Sequence, residues 1–243
     1  MNLIHLAPKL DFSAFSDRAV MLIGVQRTKQ ISRQSLTAWM NGDASPLATE
    51  VGERREEILE GALAEIFEEY EPFRDFLRKE NLLPSRVVDI GCGQGIADAL
   101  LAQDFGCSFV LVDIEETDNQ YHGWSEEGAG YASLRESGAF LVANGVNPDR
   151  IRLLNPRRAP GAIGEIAADM VTSWISCGFH YPVDEYLDLF TSTIAAGGTV
   201  VLDLRSHYSR SASAGLQTLR SIAEMIEISQ GKKSVRIAFR PRS

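Results

Sequence analysis

The sequence predicts an α/β domain on a parallel sheet, preceded by a helical segment. Three observations predict it. From Arg86 onward, short apolar runs alternate with stretches of helical periodicity, the pattern of parallel strands joined by right-handed crossovers. A glycine-rich turn lies between the first apolar run and the helix after it. Before residue 81 the chain reads as helix alone, which divides it into residues 1–80 and residues 81–243.

The bulk numbers are those of a globular chain. With 243 residues it can bury one sizeable core, or a core plus a small extra element. Hydrophobic residues at 44% and charged residues at 23% argue against overall disorder. A net charge of -9 argues against binding nucleic acid by charge alone, so such binding needs a local basic patch. The three cysteines, Cys92, Cys107 and Cys177, are odd in number and lack CxxC spacing. They predict neither a disulfide framework nor a metal site, and a reducing cytoplasm fits them best. No run approaches the roughly 20 apolar residues of a membrane span, and residues 1–10 lack the apolar core of a secretory signal. A soluble cytoplasmic protein is expected.

In residues 31–46, Ser32 is placed to cap a helix that carries Leu36 and Trp39 on one face and stops near Gly42. Arg18, Arg27, Lys29 and Arg33 make this region locally basic. It is similar to the tail of a helix-turn-helix module, so residues 1–50 are the one place where nucleic acid could bind. A short helical cap over an active site is the favoured reading, because the preceding helices of a DNA-binding module are not clear. In residues 53–79, Leu59, Leu63, Ile66 and Tyr70 fall at helical spacing. The alternating Glu and Arg form a solvated face, and Pro72 is expected to break or kink the helix.

Residues 86–90 are a first strand, and a helix runs over 95–105. Residues 109–112 form a second strand ending at Asp113, followed by a polar loop over 115–130. A helix is predicted over 131–144, with Pro148 beyond it, and strands over 151–154 and 170–174. Val183, Leu187, Phe190 and Ile194 mark one face of a helix over 184–196, ended by Gly197 and Gly198. A strand follows over 199–204, then a helix over 213–222. The alternation of Val235, Ile237 and Phe239 beyond the turn at 231–233 predicts a final hairpin.

The strongest motif is an acid at the end of the first strand followed by alternate glycines: Asp89, Gly91, Gly93 and Gly95. Glycines let the backbone turn sharply and let a ligand approach the main chain, and the next helix aims its N-terminus there. Dinucleotide sites usually show GxGxxG without the acid. A carboxylate here would repel a pyrophosphate but can pair with an ammonium group. Asp113 follows about 20 residues after the turn, where an acid commonly bonds ribose hydroxyls.

VVDIGCGQG followed by VLVDIEE resembles the first motif and adjoining acidic motif of class I S-adenosylmethionine-dependent methyltransferases. The resemblance covers about residues 82–241. It implies a Rossmann-like, seven-stranded, mostly parallel sheet with an antiparallel last strand, and S-adenosylmethionine as cofactor. The cofactor site it implies comprises Asp89, Gly91, Cys92, Gly93, Gly95, Asp113, Ile114, Asn155 and Ser173. In it Asp113 meets the ribose, Ile114 packs on the adenine and Asn155 is the nearest candidate for the adenine amine. The fourth strand ends in Ser173 and Trp174 without a carboxylate, which disfavours the metal-dependent branch. The Asn-Pro-Pro-Tyr type of signature of DNA amino-methylating enzymes is absent.

Ligands of open α/β sheets sit beyond the carboxyl ends of the strands, so residues 176–182 border the pocket. There His180 is the candidate general base, since imidazole titrates near neutrality, and Tyr181 the group that orients an acceptor. His122 and His207 are rival bases. Cys177 lacks a basic neighbour and reads as structural. The arginines and lysines of the C-terminal part, from Arg210 to Arg242, read as surface charges.

The function expected is methyl transfer to a small-molecule acceptor, with a hydroxyl of a sugar or other metabolite favoured. A homodimer is a possible assembly. The alternatives are a DNA-binding regulator with a cofactor-sensing α/β domain, a nucleotide-dependent oxidoreductase, and a domain that binds cofactor without catalysis.

Overall fold

The computed structural model describes residues 8–115, 130 and 132–242. Three helices come first: α1 (Asp17–Gln26), α2 (Arg33–Met40) and α3 (Ser45–Lys79). The α/β part then runs β1 (Arg86–Ile90), α4 (Ile96–Phe105), β2 (Ser108–Val112), α5 (Leu134–Ala143), β3 (Ile151–Leu154), β4 (Met170–Ser173), α6 (Leu187–Ala195), β5 (Thr199–Arg205), α7 (Ala214–Ile222), β6 (Ala223–Gln230) and β7 (Ser234–Pro241).

The seven strands form one sheet in the order β3-β2-β1-β4-β5-β7-β6. β1 to β5 pair in parallel, and β7 runs antiparallel between β5 and β6. This is the mostly parallel sheet with an antiparallel last strand that the sequence implied. The strand order reverses between β1 and β4. A crevice opens outside the carboxyl ends of the strands at such a switch point. Register sets what faces it: Asp89 of β1 lies opposite Leu111 of β2 and Thr172 of β4. β1, β4 and β5 are buried along almost their whole length, as strands covered on both faces must be.

The N-terminal helices belong to the same core. In α1 every residue from Ala19 to Val25 is buried. Ser16 caps it by accepting the Ala19 N–H, and Ser32 caps α2 by accepting the Ser35 N–H. Leu59, Leu63, Ile66 and Tyr70 of α3 are all buried, as their spacing predicts.

Pro72 does not break α3. The non-helical backbone falls instead at Arg54, with φ -127° and ψ 23°, where its guanidinium binds Glu50 on one side and Glu57 on the other. Proline removes one backbone hydrogen bond. The neighbouring Tyr70 and Phe73 are fully buried, and the Tyr70 hydroxyl donates to Asp104 Oδ2 of α4 at 2.6 Å, so packing holds the helix through the gap.

Two further boundaries shift. α5 starts at Leu134, where Ser133 caps it. The stretch before α6 opens as a 3₁₀ turn, Val183–Tyr186. No helix among the described residues is long and apolar enough to cross a membrane.

Candidate active site

The glycine turn forms a cradle at the end of β1. Gly91, Gly93 and Gly95 all have left-handed backbone, with φ of 72°, 54° and 74°, a region that side chains with a Cβ rarely adopt. The Gly91 N–H donates to Val112 O at 2.7 Å and the Gly95 N–H to Cys92 O at 3.0 Å. A Cβ on Gly91 would fall 2.0 Å from Ser176 Oγ, whereas one on Gly93 would meet nothing within 4 Å. Gly91 therefore allows the β4 loop to close on the cradle, and Gly93 leaves open space beside it. α4 begins immediately after Gly95, so its free N–H groups face this end.

Three buried acids surround the cradle. Asp113 spans two loops: its Oδ2 accepts the Gly93 N–H at 3.1 Å and its Oδ1 the Glu115 N–H at 2.8 Å. Each oxygen keeps a lone pair for a ligand hydroxyl. Burial pushes its carboxyl up to about 6, against these two hydrogen bonds. Asp89 accepts from Thr172 Oγ1 at 2.7 Å. Its carboxyl is also pushed up to about 6 by burial, with Thr172 and Asp98 opposing.

Asp98 was missed by the sequence reading. It sits in the first turn of α4, and burial, followed by the charge of Asp89, raises it well above the ordinary carboxylate range. Two carboxyls in one apolar site oppose each other's ionisation, so the pair favours a single charge. An acid in the otherwise apolar stretch IADALLA was the available signal.

The far wall comes from the loop after β4 and from the N-terminal helices. Ile23 and Gln26 of α1, its C-cap Arg27, and Ile66 and Glu69 of α3 face the cradle, Trp174, Ser176 and His180 across a cavity of about 210 Å³. Ile175 also lines it, with φ 50°. A β-branched residue there is strained by about 1–3 kcal/mol. A buried ion pair supports that loop. Arg236 of β7 donates to both oxygens of Asp203 of β5, each at 2.7 Å. Asp203 Oδ2 in turn accepts the Ile175 N–H at 3.3 Å. The guanidinium lies 3.9 Å from the centroid of Trp174 and donates to Glu69 O at 2.5 Å. Arg236 is 5% exposed, which corrects the surface reading of the C-terminal arginines for this residue. Its antiparallel register opposite Asp203 is a long-range fact that sequence spacing does not show.

The cavity brings together Asp89, Gly91, Cys92, Gly93, Gly95, Asp113, His180 and Tyr181. Ile114, Asn155 and Ser173 are not among its lining residues. The Asn155 amide donates to Ile114 O and Glu115 Oε2, and its oxygen accepts the Arg157 N–H, so it holds the two residues Ile114 and Glu115 just after β2. Ser173 is fully buried, donates to Ile90 O and accepts the Cys177 N–H. Tyr181 is buried with its hydroxyl 3.1 Å from Ser176 Oγ, and burial holds its phenol above the ordinary range. The Cys92 and Cys177 thiols are raised by burial as well and stay protonated. His207 is not among the cavity's lining residues, and His122 falls outside the described residues.

A methyltransferase-domain family model matches residues 62–229, more than two thirds of the chain, and the chain belongs to that family. This agrees with the class I resemblance of the glycine turn and Asp113. No curated protein sequence matches the chain.

Solved structures similar to it include a candidate O-methyltransferase from Nostoc punctiforme (12% identity, TM-score 0.46). That match covers 76% of this chain and 59% of the other. Another is the Burkholderia thailandensis 1,6-didemethyltoxoflavin-N1-methyltransferase with bound 1,6-didemethyltoxoflavin and S-adenosylhomocysteine (14%, 0.44), covering 82% and 87%. A third is the O-methyltransferase involved in tomaymycin synthesis from Streptomyces achromogenes, in complex with S-adenosylmethionine (15%, 0.44), covering 70% and 78%. At these values they say nothing of the acceptor.

Proposed function

We propose that the protein transfers a methyl group from S-adenosylmethionine to a hydroxyl of a small metabolite, a sugar or similar compound. The observation that carries this reading is the glycine cradle with Asp113 hydrogen-bonded to Gly93 across it, in a chain of the methyltransferase-domain family. The residues present fit the donor. The cradle has the open space at Gly93 that close main-chain approach needs, Asp113 has acceptor capacity for ribose hydroxyls, and Asp89 has the charge for an ammonium group.

When bound, S-adenosylmethionine supplies a methyl carbon activated by its sulfonium, so the displacement is in line and leaves S-adenosylhomocysteine. The protein's task is alignment and proton removal. The loop after β4 and the α1 and α3 wall hold the acceptor, with Tyr181 and Ser176 as orienting hydroxyls. His180 takes the acceptor's hydroxyl proton. The N-terminal helices, residues 1–80, serve as the cap of this pocket rather than as a DNA reader. Neither the regulator nor the oxidoreductase alternative finds support in the family match.

The test is formation of S-adenosylhomocysteine from S-adenosylmethionine over a panel of hydroxylated metabolites, repeated with His180→Gln. A general base contributes about 10²–10⁴-fold. A fall of that size with unchanged donor binding supports the assignment of His180. Turnover unaffected by the substitution removes it.

A further inference from the structure

Resting on the reading above, we infer that Arg27 recognises the acceptor, and that the acceptor carries an oxyanion, a carboxylate or a phosphate, besides the group that is methylated. Arg27 closes α1 and lines the cavity opposite the cradle. Its Nη1 and Nη2 donate to the two oxygens of Glu69 at 2.5 and 2.9 Å. A guanidinium has five N–H groups and no acceptor. Two are used in this pair, and among the described residues nothing takes up the other three.

Holding α1 in place does not fall to this pair alone. Its side chains are partly buried, 19% and 31% exposed, and α1 is already anchored by its buried run from Ala19 to Val25. The pair is instead held still from behind. Arg236, buried against Trp174, donates to the backbone carbonyl of Glu69, so the carboxylate that fixes Arg27 sits on a fixed stretch of α3. An arginine oriented on one side by a glutamate, with N–H groups to spare, is a preorganised fork for a planar or tetrahedral oxyanion.

Charge selects the same class. Glu69 also keeps acceptor capacity and could meet a cation. Arg27 is the one arginine or lysine among the described residues that line the cavity, and the acids on the cradle side, Asp89 and Asp113, are taken up by the donor in that reading, so an anionic acceptor finds its partner at Arg27. Ile23 and Ile66 line the same cavity, and an apolar surround strengthens a charge-assisted contact.

Saturation-transfer NMR and titration tests this on the full chain saturated with S-adenosylhomocysteine. The probes are matched sets: para-hydroxybenzoate, para-hydroxyphenyl phosphate and para-hydroxybenzamide, and glucuronate against glucose. The expected result is that an anionic member binds and its neutral partner binds at least about tenfold more weakly, the loss of one charge-assisted contact. Preference between carboxylate and phosphate identifies the source of the oxyanion. Arg27→Gln removes the preference and Arg27→Lys retains only part of it. The double variant Arg27→Gln/Glu69→Gln removes it too, without leaving a lone carboxylate. Neutral and anionic members binding alike, anions binding Arg27→Gln as well as the native protein, or no member binding while S-adenosylhomocysteine does, each overturns the inference. Failure of S-adenosylhomocysteine to bind the native protein overturns the methyltransferase reading instead.

Discussion

Asp89 and Asp113 are 5% and 8% exposed, and burial holds both carboxyls at about 6. A carboxyl raised on folding contributes stability below its unfolded value of 3.8 that is lost as the pH rises through the folded value. A cationic donor favours the ionised carboxylates, so its binding offsets that loss. Affinity for S-adenosylmethionine is therefore expected to rise from about pH 5 to about pH 7.5 and then level off. Titration calorimetry across that range checks it, and an affinity that falls with pH would contradict the role of both acids. Gly91→Ala is the steric counterpart. It puts a Cβ at 2.0 Å from Ser176 Oγ and a side chain at φ 72°. The left-handed backbone alone costs about 1–2 kcal/mol, so the variant should melt at lower temperature and lose donor binding. Unchanged binding would mean that the cradle is not the donor site.

At the scale of elements, the loop after β4 depends on β5 and β7. Arg236→Met leaves Asp203 buried without its partner and releases Trp174 and the strained Ile175. Breaking a buried pair from one side costs about 3–5 kcal/mol. Urea unfolding should show that loss, and Arg236→Met/Asp203→Asn should recover part of it. A single variant as stable as the native protein would show that the pair does not support the loop. The helix cap gives a smaller effect. Ser32 accepts the Ser35 N–H and donates its own N–H to Glu50, and Ser32→Ala should cost about 1 kcal/mol by the same measurement.

Across the whole molecule, legibility in the sequence followed the range of the interactions. Strands such as 86–90 and 151–154, and the final hairpin, were readable because alternation and glycine punctuation are local. The cradle was readable because its glycines and Asp113 are close in sequence. The kink at Arg54 was not, since Pro72 carried the stronger local signal while packing of Tyr70 and Phe73 overrode it. Arg236, Asp203, Arg27 and Glu69 were not either. They meet only after α1, α3, β5 and β7 assemble, and each alone looks like one more surface charge. The shared core also gives the N-terminal helices a testable place. A chain truncated to begin at residue 45 loses the buried run of α1 and exposes the α3 face it covers, so it should aggregate or unfold at lower denaturant. A truncated chain as soluble and stable as the full one would make residues 1–44 a separate module. The central claim is donor binding at the cradle, and calorimetric titration with S-adenosylmethionine and, separately, with NAD tests it most directly. The expected result is binding of S-adenosylmethionine alone, much weakened in Asp113→Ala. Binding of NAD instead, or of neither, would contradict it.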